Sequence, residues 1–216
     1  MDYARMLGVE DGSFNPQKLR RRGKTVLCGV LTHGFRVEDV FLRLIEVDGL
    51  DATEKLLDMT NKIGFLDAVL LGGVTFGGFN IIDPIAVNES LKVPVIVVTT
   101  ERPNNEAVLS ALKKHFEDWR LRYGVFERLA LVSPIYEAKL SPRENPVFLE
   151  VVGMELQRAL ELLRRVTVRG RVPEPLRIAN RVAKAVSRAL FMQEDHKRAE
   201  REPRSASGVG RWPPFT

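Results

Sequence analysis

Leu66-Asp-Ala-Val-Leu-Leu-Gly-Gly-Val-Thr-Phe-Gly-Gly-Phe-Asn-Ile-Ile-Asp83 decides how the rest of the chain is read. Its apolar run, Ala68 to Leu71, is short and uninterrupted, as in a strand buried on both faces. Gly72-Gly73 end the run and Gly77-Gly78 follow. Glycines this dense beside a strand end point to unusual backbone angles or to close approach of another backbone or a ligand. Asp83-Pro84 then predicts a helix N-cap followed by proline at the first helical position. The order is strand, glycine-rich loop, helix. In an open α/β sheet, ligands bind beyond the carboxyl ends of the strands.

Upstream, Arg5–Val9 predicts a strand that ends in Glu10-Asp11. Two neighbouring carboxylates at a strand end can begin a divalent metal site, and Asp-Gly is also a strong turn signal. Pro16–Lys24 reads as a basic loop between hairpin strands. Thr25–Leu31 and Arg36–Ile45 are the next strands, with a turn at His33-Gly34. Hairpin-length connections make this start of the sheet antiparallel. Leu56, Leu57, Met59 and Ile63 fall on one helical face after Asp51.

Downstream, Val93–Thr99 is another buried parallel strand, followed by Thr100, Glu101 and Arg102. Asn104–Arg120 predicts a long amphipathic helix with Val108, Leu112 and Phe116 on one face. Phe126–Val132 and Pro146–Val151 are expected as edge strands joined by the polar segment Tyr136–Asn145. Glu155–Arg165 is a helix, and Pro173 opens the last one, running to about Met192. Residues 193–216 are polar and charged, then rich in Gly, Ser and Pro, as in a flexible tail. The expected organisation is one domain over residues 1–192 and a tail over 193–216.

Hydrophobic residues make up 44% of 216 and charged residues 28%, enough for a sizeable core and unlike a disordered chain. The single cysteine, Cys28, lies in an apolar strand; an internal disulfide and a cysteine zinc site are excluded. No signal-peptide pattern and no apolar run of roughly 18 residues is present, so a cytoplasmic protein is expected. The net charge of +5 is uneven: from Arg158 onward there are 14 Lys/Arg against 6 Asp/Glu. A basic C-terminal segment on a mildly acidic body suits a polyanion, and equally a solvated helix face. No Lys-Ser/Thr follows Gly77, so the glycine loop is no triphosphate P-loop, and its spacing fails the dinucleotide fingerprint.

Three antiparallel strands, a helix, parallel strands and C-terminal helices match an α/β, ribonuclease H-like mixed sheet flanked by helices. Leu66–Val98 resembles endonuclease V, in which a strand ends in Val-Asp-Gly-His-Gly. Asn145-Pro-Val-Phe-Leu-Glu-Val-Val-Gly153 and Arg169-Gly-Arg-Val-Pro-Glu-Pro-Leu-Arg-Ile-Ala179 are similar to that family's closing strand and Arg-x-Pro-Glu-Pro-x-Arg-x-Ala element. Gly8–Phe14, Gly73–Asp83 and Pro173–Ala179 together resemble the archaeal relatives of endonuclease V, the domain-of-unknown-function ninety-nine proteins.

The resemblance implies a nuclease that cuts beside deaminated bases with a carboxylate-held divalent metal. This chain departs from that pattern. The first-strand aspartate falls at Glu10, with Asp11 beside it. The Val-Asp-Gly aspartate falls at Gly72, and the closing Gly-His becomes Gly153-Met154. The glutamate before the first helix falls near Asp51 or Ala52. With at least two of four positions altered, the expectation is a nucleic-acid-binding protein that kept the scaffold and not the catalysis. Two alternatives stand beside it: a Mg²⁺- or Mn²⁺-dependent phosphoesterase or nuclease with Glu10 and Asp11 as catalytic and metal groups, aided by Asp83, and a non-catalytic protein-interaction module. The layout would gather Gly72, Gly73, Thr75, Asn80, Asp83 and Arg102 as substrate-binding groups, with Arg177 either touching substrate or pairing with Glu174. Asn80 would equally steady a turn, and Asp83 would equally cap a helix. Phe76 and Phe79 would either stack on a base or plug the core.

Overall fold

Uninterrupted apolar runs form the middle of a seven-stranded sheet, because only a strand covered on both faces can bury every side chain. The computed structural model describes residues 4–14 and 23–201, with side chains through residue 190. The basic connection over residues 15–22, and the tail from residue 202, lie outside the described residues. β1 (Arg5–Asp11), β2 (Lys24–His33) and β3 (Arg36–Glu46) form the antiparallel start that the sequence predicts. α1 (Ala52–Thr60) leads to β4 (Ala68–Leu71), which pairs in parallel with β1. A hairpin of β5 (Thr75–Phe76) and β6 (Asn80–Ile81) carries the glycine loop, and α2 (Pro84–Leu91) follows. β7 (Val95–Thr99) pairs in parallel with β4.

After β7 come α3 (Asn105–His115), α4 (Trp119–Val132), β8 (Tyr136–Ala138), β9 (Val147–Val152), α5 (Leu156–Arg165) and α6 (Glu174–Arg201). The sheet order is β3-β2-β1-β4-β7-β9-β8. Alternate residues of each strand point to opposite faces. Leu7, Val9, Leu71 and Val97 meet α1, α2 and α4 on one face. Met6, Leu70, Ile96 and Val98 meet α5 and the start of α6 on the other. Val26, Cys28 and Val30 extend that second face under Ala179 and Ala183 of α6.

The structure corrects four local expectations. Phe126–Val132 is the second half of α4 and not a strand. Arg122, Val125, Phe126 and Leu129 are its buried residues, a helical spacing that a short apolar window conceals. The Asn104–Arg120 helix is broken, because Phe116 takes an extended backbone and ends α3. The strand expected at Pro146–Val151 is β9, between β7 and β8, while the edge falls to Tyr136–Ala138 from the supposedly irregular segment. The last helix continues past Met192 to Arg201.

Two buried charged residues reveal opposite energetics. Arg122, 6% exposed, ties α4 to the turns beside the glycine loop. Its guanidinium donates to the carbonyls of Gly49 (2.9 Å), Phe79 (2.7 Å) and Asp48 (3.0 Å) and to Asp118 (2.9 Å). It also lies 4.4 Å from the centroid of the Phe116 ring. Glu150 of β9 is 7% exposed, and among the described residues no hydrogen bond or ion pair reaches its carboxylate. Burial alone pushes it from its ordinary 4.5 up to about 7.

Arg122→Ala should cost about 3 kcal/mol, since it strands three carbonyls, and lower the Tm by roughly 6–12 °C. Arg122→Lys should recover only part of this, because an ammonium cannot span the fork; calorimetric melting checks both. Glu150 holds its proton more tightly when folded, so its contribution favours the fold below pH 4.5 and is lost as pH rises through about 7. Glu150→Gln should therefore gain on the wild type between pH 5 and pH 8, by about 2–3 kcal/mol, in urea unfolding at each pH.

Candidate functional site

Strand register brings the first acidic pair to the glycine floor. Val9 lies opposite Leu71, which places Glu10 beside Gly72 at the carboxyl ends of β1 and β4. The Gly72 amide donates to the Val9 carbonyl at 3.1 Å, so the two backbones are in hydrogen-bond contact there. The Glu10 carboxylate lies over Gly72, where any Cβ at residue 72 would collide with its oxygens. The absent side chain thus makes the room that the glutamate fills.

Glu10 and Asp11 are successive residues, so their side chains leave the strand on opposite faces. Glu10 turns under α6, where it takes a hydrogen bond from Asn180 and feels the charge of Lys184. Burial and then the neighbouring Asp11 outweigh those two and push Glu10 up to about 7. Asp11 turns toward the hairpin and accepts the Gly77 amide at 2.5 Å. Burial raises it as well, against that hydrogen bond and the charge of Lys184. Asn180 and Lys184 are one turn apart on α6 and so face the same way. Sequence reading missed both; their only signal was their i, i+4 spacing on the last helix.

Two carboxylates suit Mg²⁺ or Mn²⁺, hard ions that keep waters and take further oxygens from a phosphate. Glu10 and Asp11, leaving β1 on opposite faces, would share such an ion only beyond the end of the strand. Among the described residues, no group of three or more His, Cys, Asp and Glu side chains could hold one.

A cavity of about 360 Å³ opens on the other side of the same glycines. Gly72, Gly73, Thr75, Thr100, Arg102 and Glu150 are among its lining residues, with Val97, Val108 and Phe126 forming its apolar part. The register runs Val9, Leu71, Val97, Glu150 across four strands, which puts Glu150 on the face opposite Glu10. Three strand spacings separate them, roughly 14 Å. Glu10 and Glu150 are therefore distinct centres that share the Gly72–Gly73 backbone. Glu150 too was missed; a lone acid inside the apolar run Val147–Val152 was the available signal.

The remaining predicted groups are placed elsewhere. Asn80 is fully buried; its side chain accepts from the Ala52 amide and donates to the Glu46 carbonyl and to Asp51. Asp51, just before the first helix, is held by Asn80 and by the Glu46 amide. Asp83 caps α2 through the amides of Ile85 and Ala86 and pairs with Arg128 at 2.7 Å. Arg177 pairs with Glu174 at the start of α6. Arg102 is exposed at the cavity and reaches over the Phe148 ring. Phe76 is a core plug, and Phe79 meets Phe116 edge-on.

A sequence model of the endonuclease dU family matches residues 2–187. A UPF0215 protein of Thermococcus gammatolerans is 41% identical over 185 residues, covering 84% of this chain and 91% of the relative. The crystal structure of a protein of unknown function from Archaeoglobus fulgidus superposes with a TM-score of 0.72 at 32% identity, over 85% of this chain and 98% of that one. Endonuclease V of Ciona intestinalis, solved with a 23mer DNA containing an inosine followed by a ribo-adenosine, gives a TM-score of 0.57 over 87% of each chain. Its 14% identity makes that a likeness of fold. The sequence match along nearly all of the described domain places the chain in the endonuclease dU family.

Proposed function

We propose that the protein is a divalent-metal-dependent endonuclease acting on deoxyuridine-containing DNA, with Glu10 and Asp11 at its centre. The observation that carries this reading is the Glu10 carboxylate lying over Gly72. The resemblance to endonuclease V expects acids on both β1 and β4. Here one longer side chain from β1 reaches the place where the β4 acid would begin. Gly72 then reads as the partner of that exchange, and not simply as a lost ligand. The family's description and the DNA bound by a structural neighbour support the substrate class.

A bound cation would polarise the phosphoryl oxygen and lower the pKa of the attacking water. The chain's own groups do the rest. Asn180 and the Gly77 amide orient the two carboxylates. Lys184 stands beside both and offsets negative charge developing on a phosphate. Arg181 and Arg188 are exposed on the same helix and would follow the DNA backbone.

A second reading, nucleic-acid binding without hydrolysis, is favoured by the absence of a third acid at the pair among the described residues. One set of measurements separates the two. An oligonucleotide with a single deoxyuridine should be cut in Mg²⁺ or Mn²⁺ and left whole in chelator. Glu10→Gln and Asp11→Asn should each slow cutting by about 100-fold or more without lowering the melting temperature. Cutting that survives in chelator, or in Asp11→Asn, defeats the hydrolytic reading; retained binding without cutting leaves the second. Under either reading affinity should fall steeply with salt, and Arg181→Gln should flatten the log–log slope by about 1. Binding that is insensitive to salt would remove both.

A further inference from the structure

Glu150 has no role in the chemistry proposed at Glu10 and Asp11. It lies on the other face of the sheet, three strands away, on the wall of the 360 Å³ cavity. A carboxylate that is 7% exposed and without a partner among the described residues costs stability whenever it ionises. Breaches of this kind concentrate at functional sites. The cavity falls at the small end of the range of ligand pockets, a size for one planar ring and not for a duplex. Its floor, Gly72-Gly73, also lies against the Glu10 carboxylate. A nucleotide whose phosphate lies at the acidic pair can therefore turn its base over the glycines into the cavity, as enzymes that extrude bases do.

We infer that Glu150 reads the ring N–H of an extruded deaminated base, uracil above all, and rejects the parent amino base. This rests on the deoxyuridine reading above. Uracil presents N3–H between two carbonyls. Cytosine presents a bare lone pair at N3 beside its amino group. Above about pH 7 Glu150 is ionised, and an ionised carboxylate can only accept hydrogen bonds. It takes the uracil N3–H and meets the cytosine lone pair with repulsion. Thr75, Thr100 and Asn105 line the same cavity and supply hydroxyl and amide donors suited to the uracil carbonyls. A base that donates to Glu150 also removes the deficit of its unpaired burial, so recognition and stabilisation coincide.

Glutamine at this position separates this role from a merely structural one. Its amide both donates and accepts, and by rotating it can match either pyrimidine edge. Binding is measured at pH 8.5 by fluorescence anisotropy in chelator, where turnover plays no part, with single-stranded oligonucleotides carrying one deoxyuridine or one deoxycytidine at the same position. The wild type should prefer deoxyuridine. Glu150→Gln should reduce that preference by roughly ten-fold or more while keeping most of its affinity for deoxyuridine. Glu150→Leu should lose affinity for the deoxyuridine strand itself. Unchanged preference in Glu150→Gln overturns the inference and leaves the Glu10–Asp11 reading standing. A Glu150-dependent preference in a protein that never cuts supports the inference and removes the hydrolytic reading. A wild type indifferent to the base overturns the inference outright.

Discussion

Helix α6 lies close against the β1 segment at two glycines. A Cβ at Gly8 would collide with the backbone of Pro175, and one at Gly12 with Ser187. The close approach at the middle of β1 and just past its end sets the height of the helix above the sheet. At that height Asn180 reaches Glu10, and Lys184 lies within electrostatic range of Glu10 and Asp11. A bulkier β1 would lift α6 and separate the acids from the groups that orient them. The arrangement of the acidic edge thus depends on close contacts made two residues to either side of Glu10.

The same sheet end carries two buried glutamates with different surroundings. Glu10 and Glu150 are both pushed up to about 7, chiefly by burial. Glu10 has an amide, a nearby ammonium and a neighbouring carboxylate, the makings of a site for a cation and a phosphate. Glu150 has only the cavity in front of it. Gly72 and Gly73 separate the two and are thin enough to serve both: on one side the missing side chain leaves space for Glu10, and on the other the bare backbone forms a floor.

Local signals were legible where the chemistry was local. Asp83 caps α2 as its position before Pro84 predicts, and Ala68–Leu71 is the buried central strand. Gly77 and Gly78 take positive φ, the backbone angles that a glycine-dense turn announces. Signals failed where packing decided. Phe126–Val132 has the composition of a strand, yet its apolar residues meet the core only once wound as a helix. Asn80 has the look of a ligand group in a glycine loop, but folding brings it to the entry of α1, where the Ala52 amide, the Glu46 carbonyl and the Asp51 carboxylate use its whole amide. Glu150 is unremarkable in sequence, because one acid in an apolar strand is ordinary at a sheet edge. It becomes exceptional once β8 takes the edge and leaves β9 inside.

Sequence by itself determined the antiparallel start, the helix that follows it, the parallel centre and the acidic pair that ends β1. Those follow from periodicity, caps and turns, which act over a few residues. Tertiary structure alone decided that Glu10 lies over Gly72, that α6 supplies Asn180 and Lys184, and that Glu150 faces a cavity with no partner among the described residues. These depend on strand register and helix height, set by contacts between residues far apart in the chain, and no local pattern encodes the distance between them.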